Sequence, residues 1–139
     1  MNVVDLIGTP YREMDCRQLA LVALERAGID VPGRGAWEAA RVEMDSDAFA
    51  EVLSDTGDRW ALLHDRSDGA VPQSLELLDG DVLVSRPSVV EEEQVTRRVH
   101  LSVVCDGPGR LAVSTSQRMG AAVVRIGLIG PVTVYRRQP

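Results

Sequence analysis

Aromatic residues, histidines and cysteines are scarce in this chain of 139 residues, which has one Phe, two Tyr, two Trp, two His and two Cys. The two histidines are far apart and no C-x-x-C spacing occurs, so we expect no metal site. The stretch "GPGRL" carries glycines without a following Lys-Ser/Thr pair, so we expect no phosphate loop and no cofactor. Cys16 and Cys105 are expected to be reduced thiols, because the chain shows no secretory leader.

Positive charge is also in deficit, with 15 Lys+Arg against 21 Asp+Glu and a net charge of -6. Nothing therefore favours nucleic-acid phosphates or an anionic membrane surface as a partner. No run reaches the roughly 20 apolar residues that a membrane-spanning helix needs. The opening "MNVVDLIGTPY" lacks the basic leader and apolar core of a secretory signal. We expect a soluble chain made in the cytoplasm, which would need lysis, a secretion machine or a larger particle to act elsewhere.

Helical signals fill the first half of the chain. Asp15 can cap a helix over residues 16 to 27, and Gly28 supplies a left-handed stop. A second helix is predicted within "GAWEAARVEM". A third is predicted from Ser46 or Asp47 through "AFAEVLSD" until Gly57.

Short valine-rich runs follow Gly80 and are typical of antiparallel strands. The predicted strands are 81 to 86, 97 to 105, 110 to 115, 120 to 126 and 131 to 136. The turns "DGPG" and "RMG" separate neighbours at hairpin distance, and "RPSVVEEEQVTRR" is interpreted as a surface loop with a solvated acidic run. At 45% hydrophobic content the chain predicts one α+β domain over 1–139, with N-terminal helices in a helical half (1–79) packed on a C-terminal antiparallel sheet (80–139).

A thiol and an imidazole carry the candidate chemistry. Cys16 stands at a helix start, where the pKa of a thiol can be lowered. In "RRVHLSVVCD", alternation places His100, Ser102 and Val104 on one face of a strand and Leu101 and its alternate neighbours on the other. Each residue alone is also explained as an ordinary buried cysteine or a satisfied histidine. Together they predict a Cys–His dyad, since a helix packed on a sheet can bring distant residues into contact.

The stretch "IGTPYREMDCRQLALVALERAGIDVPG" resembles the opening of the NlpC-type family of cell-wall cysteine peptidases, which are papain-like. "LLDGDVLVS", "VHLSVVCDGPGRL" and "GPVTVYRRQP" resemble later pieces of the family in the same order. The resemblance implies a papain-like fold, Cys16 as nucleophile and His100 as general base. It also implies that Tyr11, Asp15 and Gln18 lie at the oxyanion or substrate side.

Three residues depart from the family pattern. Arg17 and Gln18 stand where the family has Ser-Gly after the cysteine. Val113 stands where the family has the polar residue that orients the imidazole, so Ser114, Thr115 and Gln117 are the candidate third members if the register slips by a residue or more. Alternation points Ser114 away from the face of Val113.

The resemblance implies a thiol hydrolase that cleaves an amide bond in peptidoglycan peptides, carried with a phage tail or related injection device. Two other functions remain open. One is a structural or assembly module of such a tail, with catalysis weak or lost. The other is a papain-like thiol amidase or acyltransferase acting on another amide substrate. His64 is a rival base, although its apolar surroundings favour an edge segment of the sheet.

Overall fold

A computed structural model describes residues 1–31, 60–85, 88–91, 94–97 and 100–138. Within these ranges the chain forms one α-helix and eight strands. The helix is α1 (Cys16–Arg26), and the strands are β1 (Trp60–His64), β2 (Val82–Ser85), β3 (Ser88–Glu91), β4 (Gln94–Arg97), β5 (His100–Asp106), β6 (Leu111–Ser116), β7 (Gly120–Arg125) and β8 (Thr133–Arg137). The predicted α+β class is confirmed.

Local signals at both ends explain α1. Asp15 is the N-cap: its side chain accepts from the backbone of Gln18, and the Gln18 side chain accepts from the backbone of Asp15, which completes a capping box. After the last turn, Gly28 has a φ of 74°, the left-handed conformation that ends a helix. Ala23 and Leu24 are fully buried. The predicted helix of 16 to 27 therefore differs from the observed one by a single residue.

Six strands form one antiparallel sheet in the order β1-β8-β2-β5-β6-β7. The two predicted turns connect β5 to β6 and β6 to β7. All five predicted strands lie within three residues of observed ones at either end. In the part of the chain that is described, no helix is both long and apolar enough to cross a bilayer.

The division into a helical half and a sheet half is corrected by β1. This strand lies at residues 60 to 64 but pairs with β8, the last strand, through partners such as Trp60 and Arg137. The pairing joins residues at least 70 positions apart in the sequence, such as His64 and Val134, which no local signal specifies. The edge position expected for the His64 segment is observed, since β1 ends the sheet.

The interpretation of "RPSVVEEEQVTRR" as a loop is also wrong. Its two halves pair as an antiparallel hairpin, β3 with β4, in a register that sets Val90 opposite Val95. Valine and threonine favour extended backbone, and here that preference outweighs the proline and the run of glutamates. The helices predicted within 35–44 and 46–57 lie outside the described residues.

The two sheet faces bury different clusters. We call the face under α1 the helix face; it contains Val82, Leu101, Val103 and Val113, packed with Cys16 and the apolar side of the helix. We call the opposite face the far face. It contains Leu83, Val104, Ala112 and Val134, packed with Leu77 and Ile126. Strand alternation thus divides the core into two layers.

The far face also holds an ion pair between a buried carboxylate and a partly exposed guanidinium. Asp81 is 1% exposed, and its carboxylate accepts two bonds from the Arg136 guanidinium, at 2.8 and 2.7 Å. It also accepts from the backbone N–H of Leu78, while Arg136 donates to the Glu76 carbonyl. The pair therefore joins β8 to the loop that precedes β2.

Candidate functional site

Cys16 is the first residue of α1, as predicted, but its side chain faces the core. The residue is 1% exposed and belongs to the cluster of the helix face. Burial raises the pKa of the Cys16 thiol, and this effect outweighs a backbone hydrogen bond from Leu101 that acts in the opposite direction. The position at the helix start therefore does not lower the pKa of this thiol, because the cost of placing a charge in the core is larger.

Asp15 and Gln18, expected at the substrate side, bond to each other at the start of the helix. Each side chain accepts a hydrogen bond from the other's backbone N–H, at 3.0 and 2.9 Å. The second oxygen of Asp15 accepts from the Arg17 guanidinium at 3.0 Å. Their polar groups are thus engaged in helix capping.

His100 begins β5, and its ring points to the far face. Ring Nε2 lies 2.7 Å from the Oγ of Ser114, and the hydroxyl of Ser102 donates to the same Ser114 oxygen at 3.0 Å. We call these three side chains the His100 array. Burial lowers the pKa of His100, so the neutral imidazole is favoured near pH 7.

The sheet separates the two residues that were predicted to form the dyad. Leu101 and Val103 pack beneath α1 with Cys16, whereas Val104 belongs to the far-face cluster. Because successive side chains of a strand alternate, His100 lies on the same side as Val104. The predicted contact between Cys16 and His100 is therefore absent from the described residues, and the expectation of an assembled dyad is corrected.

Three of the positions considered for the third member have different surroundings. Val113 is 1% exposed within the helix-face cluster. Thr115 is 3% exposed, and its buried hydroxyl has no hydrogen-bond partner among the described residues. Ser114 faces the far side, where it meets His100. The imidazole therefore has a serine neighbour, on the face that alternation indicates.

Tyr11 and His64 lie away from the His100 array. Tyr11 lines a separate cleft with Pro10, Arg12 and Gln117. Nε2 of His64 donates to the carbonyl of Gly69 at 3.0 Å, which ties the ring to the turn after β1. Cys16 belongs neither to the lining of the Tyr11 cleft nor to the turn that holds His64.

A cavity of about 660 Å³ opens beside the His100 array. Its walls come mainly from β7 and the turn that follows, with Ala122, Val124, Leu128 and Ile129 around His100 and Ser114. Sequence reasoning placed Ser102 on the correct strand face but did not foresee that this face lines a cavity. The signal was polar residues at alternate positions, His100 and Ser102 in "HLS" and Ser114 and Ser116 in "VSTS".

Chemically, the described residues offer a hydrogen-bonding group in an apolar cavity rather than an activated thiol. Across the described ranges, no three His, Cys, Asp or Glu side chains cluster closely enough to hold a metal ion. Comparison of the chain with protein-family models, with curated proteins and with solved structures finds no match.

Proposed function

We propose that this chain is a papain-like, NlpC-type domain in which Cys16 does not act as a nucleophile, and that it serves as a structural or assembly module of a phage tail or related injection device. The observation that carries the proposal is the position of Cys16 and His100 on opposite faces of one sheet. The family and the particle are inferred from the ordered motifs of the sequence.

A thiol hydrolase needs a thiolate and a base that can receive its proton. Cys16 is almost completely buried, and burial raises its pKa. Its sulfur lies against the backbone of Leu101, and the nearest polar partner of His100 is Ser114. An amide substrate would have to enter the helix-face core to meet the sulfur, so the geometry favours a packing role for the thiol.

The peptidoglycan hydrolase is the second candidate, favoured by one observation. The Cys16 thiol contacts the backbone of Leu101, the residue directly after His100. A shift of β5 by one residue would exchange its faces and set the imidazole against the sulfur. In that arrangement Cys16 would attack the amide carbonyl, His100 would take the thiol proton and give it to the leaving amine, and water would resolve the acyl-enzyme.

Alkylation of the thiol separates the two candidates. The Cys105→Ser variant leaves Cys16 as the sole cysteine, and its mass is followed during treatment with iodoacetamide at pH 7.5. We expect modification more slowly than in a short cysteine peptide, with an unchanged rate in the added variant His100→Ala and rapid modification in denaturing urea. If Cys16 is alkylated faster than the peptide, and this faster rate is lost in His100→Ala, the structural role is overturned.

Digestion of purified muropeptides provides the second measurement. We expect the wild-type chain and Cys16→Ala to leave the same products as buffer alone. A new fragment formed by the wild-type chain and absent with Cys16→Ala would establish the hydrolase instead.

A further inference from the structure

We propose that the far-face cavity beside His100 is a binding site for a small, mainly apolar molecule that carries one hydrogen-bond acceptor, such as a ketone or ester carbonyl. The proposal does not depend on the role of Cys16, which lies on the helix face. It stands on the shape of the cavity, its wall and the hydrogen-bond inventory of the His100 array.

The cavity has the size and wall of a ligand site. Its volume of about 660 Å³ lies within the range of roughly 300–1,000 Å³ usual for small-molecule pockets. Apolar side chains from β7 and the following turn form one side of the wall, to which β7 also contributes Arg125. At its rim, Met119 is 71% exposed and Leu128 is 81% exposed, so an apolar ligand would remove exposed apolar surface from water.

The His100 array has one hydrogen-bond donor to spare, beside the other polar residues of the cavity wall, Ser85, Thr115, Ser116 and Arg125. A neutral His100, Ser102 and Ser114 carry three donor hydrogens, one on each side chain. Two hydrogen bonds connect them, one between Nε2 of His100 and Ser114 and one between the two serines. Each bond uses a single hydrogen, so three hydrogens and two bonds leave one donor over.

This surplus does not depend on the histidine tautomer. If Nε2 accepts from Ser114, the hydrogen on Nδ1 is left; if Nε2 donates, a serine hydroxyl is left. Among the described residues, no further hydrogen bond is made by the three side chains. His100 and Ser114 both line the cavity, so a ligand acceptor can receive the spare hydrogen.

An acceptor-bearing ligand is therefore favoured over a pure hydrocarbon. A ligand without an acceptor would displace water and leave the spare donor without a partner, which is unfavourable in an apolar site. A ligand that carries only donors would also leave the spare donor of the His100 array without an acceptor. The pair acetophenone and α-methylstyrene tests this directly, because the two molecules share one shape and differ by a carbonyl oxygen in place of a methylene group.

The experiment follows the ring Cε1–H signals of the two histidines by NMR at pH 8, where His100 is neutral. The signals are assigned with His64→Gln. We expect acetophenone to shift the His100 signal and leave that of His64 in place, with a dissociation constant about fivefold lower than that of α-methylstyrene, the size of one net hydrogen bond. Equal affinities would overturn the acceptor preference, and no His100 shift with millimolar acetophenone would overturn the site.

Filling the cavity provides the matched control. Ala122 lies on the far face opposite Ser114 in the strand register, so Ala122→Phe should abolish the acetophenone shift. Leu62→Phe adds the same ring at a position 56% exposed on β1, at the other end of the sheet, and should leave binding unchanged. Ala122→Leu is a smaller filler that replaces Ala122→Phe if the latter does not fold. Wild-type affinity in a folded filled variant would place the ligand elsewhere and overturn the proposal.

Discussion

Nε2 of His100 lies 2.7 Å from Oγ of Ser114 on the far face of the sheet. Cys16, the first residue of α1, is buried between the helix and the helix face. Ser102 donates to the same serine oxygen, so the imidazole belongs to a polar chain that lines a cavity. The thiol belongs to the apolar core. One strand, β5, therefore separates the two groups that a cysteine peptidase would need together, and the following predictions test this arrangement and the contacts that maintain it.

The pH dependence of stability should contain a contribution from His100. Burial lowers the pKa of His100 below its ordinary value, so below about pH 6.5 the unfolded chain binds a proton that the folded protein does not. The free energy of unfolding should therefore decrease as the pH falls from about 7 toward 5. Urea unfolding at these two pH values measures the change.

Two histidine variants control this measurement. His100→Gln should lose most of the decrease between pH 7 and 5, whereas His64→Gln should keep it. The pKa values of the Asp5 and Asp65 carboxyls are held low by hydrogen bonds from Arg26 and Ser67, so their contribution is lost only at more acidic pH. An unchanged decrease in His100→Gln would contradict the assignment.

The ion pair of the buried Asp81 with the partly exposed Arg136 should contribute to stability. Asp81→Ala leaves the guanidinium and the backbone N–H of Leu78 without their acceptor. We expect a loss of about 2 kcal/mol in the free energy of unfolding, because the hydrogen bonds to the buried carboxylate are lost, while the Arg136 side chain, 26% exposed, stays in contact with water. The matched control is Asp5→Ala, which breaks an exposed bidentate pair with Arg26 and should leave the urea midpoint almost unchanged. Similar losses of stability in Asp81→Ala and Asp5→Ala would contradict the expectation that the first pair contributes more than the second.

Asp15 should act as a helix cap. Asp15→Ala removes the acceptor for the backbone of Gln18 and should lower the free energy of unfolding by about 1 kcal/mol. Asp15→Ser, which keeps a capping oxygen, should retain most of the wild-type free energy of unfolding. Thermal unfolding followed by circular dichroism distinguishes these results. If Asp15→Ser loses as much stability as Asp15→Ala, the negative charge of Asp15 stabilises the helix and the capping hydrogen bond does not.

Gly120 should not tolerate a side chain. It has a φ of 71°, and a Cβ there would lie 2.5 Å from the carbonyl oxygen of Thr9, which accepts a hydrogen bond from Ala121. Gly120→Ala should therefore cost about 2 kcal/mol of stability through backbone strain and displacement of the N-terminal segment. Gly127→Ala is the control, because a Cβ there meets open space. Equal urea midpoints for the two variants would contradict this expectation.

Several features were predictable because their causes are local. The ends of α1 follow from Asp15 and Gly28, whose effects act within one turn of helix. The β5–β6 and β6–β7 connections follow from "DGPG" and "RMG". The hairpin of β3 and β4 was missed because "SVVE" and "QVTR" are short runs that become strands by pairing with each other.

Cys16 and His100 do not form the predicted dyad, and the alternation of residues in β5 already indicated that they would lie on different faces of the sheet. Alternation placed Leu101 and Val103 on the face opposite His100, and an apolar helix packs best on the more apolar face. Cys16 therefore went to the side of Leu101, while His100 and Ser102 shared the other side with Ser114. Cys16 and His100 were expected to lie close together in the fold. The packing of α1 was decided instead by burial of the whole apolar face that contains Leu101 and Val103.

The sequence by itself determined the start and end of α1, the tight turns and the alternation of β5, because these depend on neighbours a few residues apart. The tertiary structure alone decided that β1 joins β8, that Asp81 meets Arg136 and that His100 opens onto a cavity instead of a thiol. Those outcomes depend on which faces and edges of distant segments bury each other. That choice is made by the total apolar surface removed from water and not by any single motif.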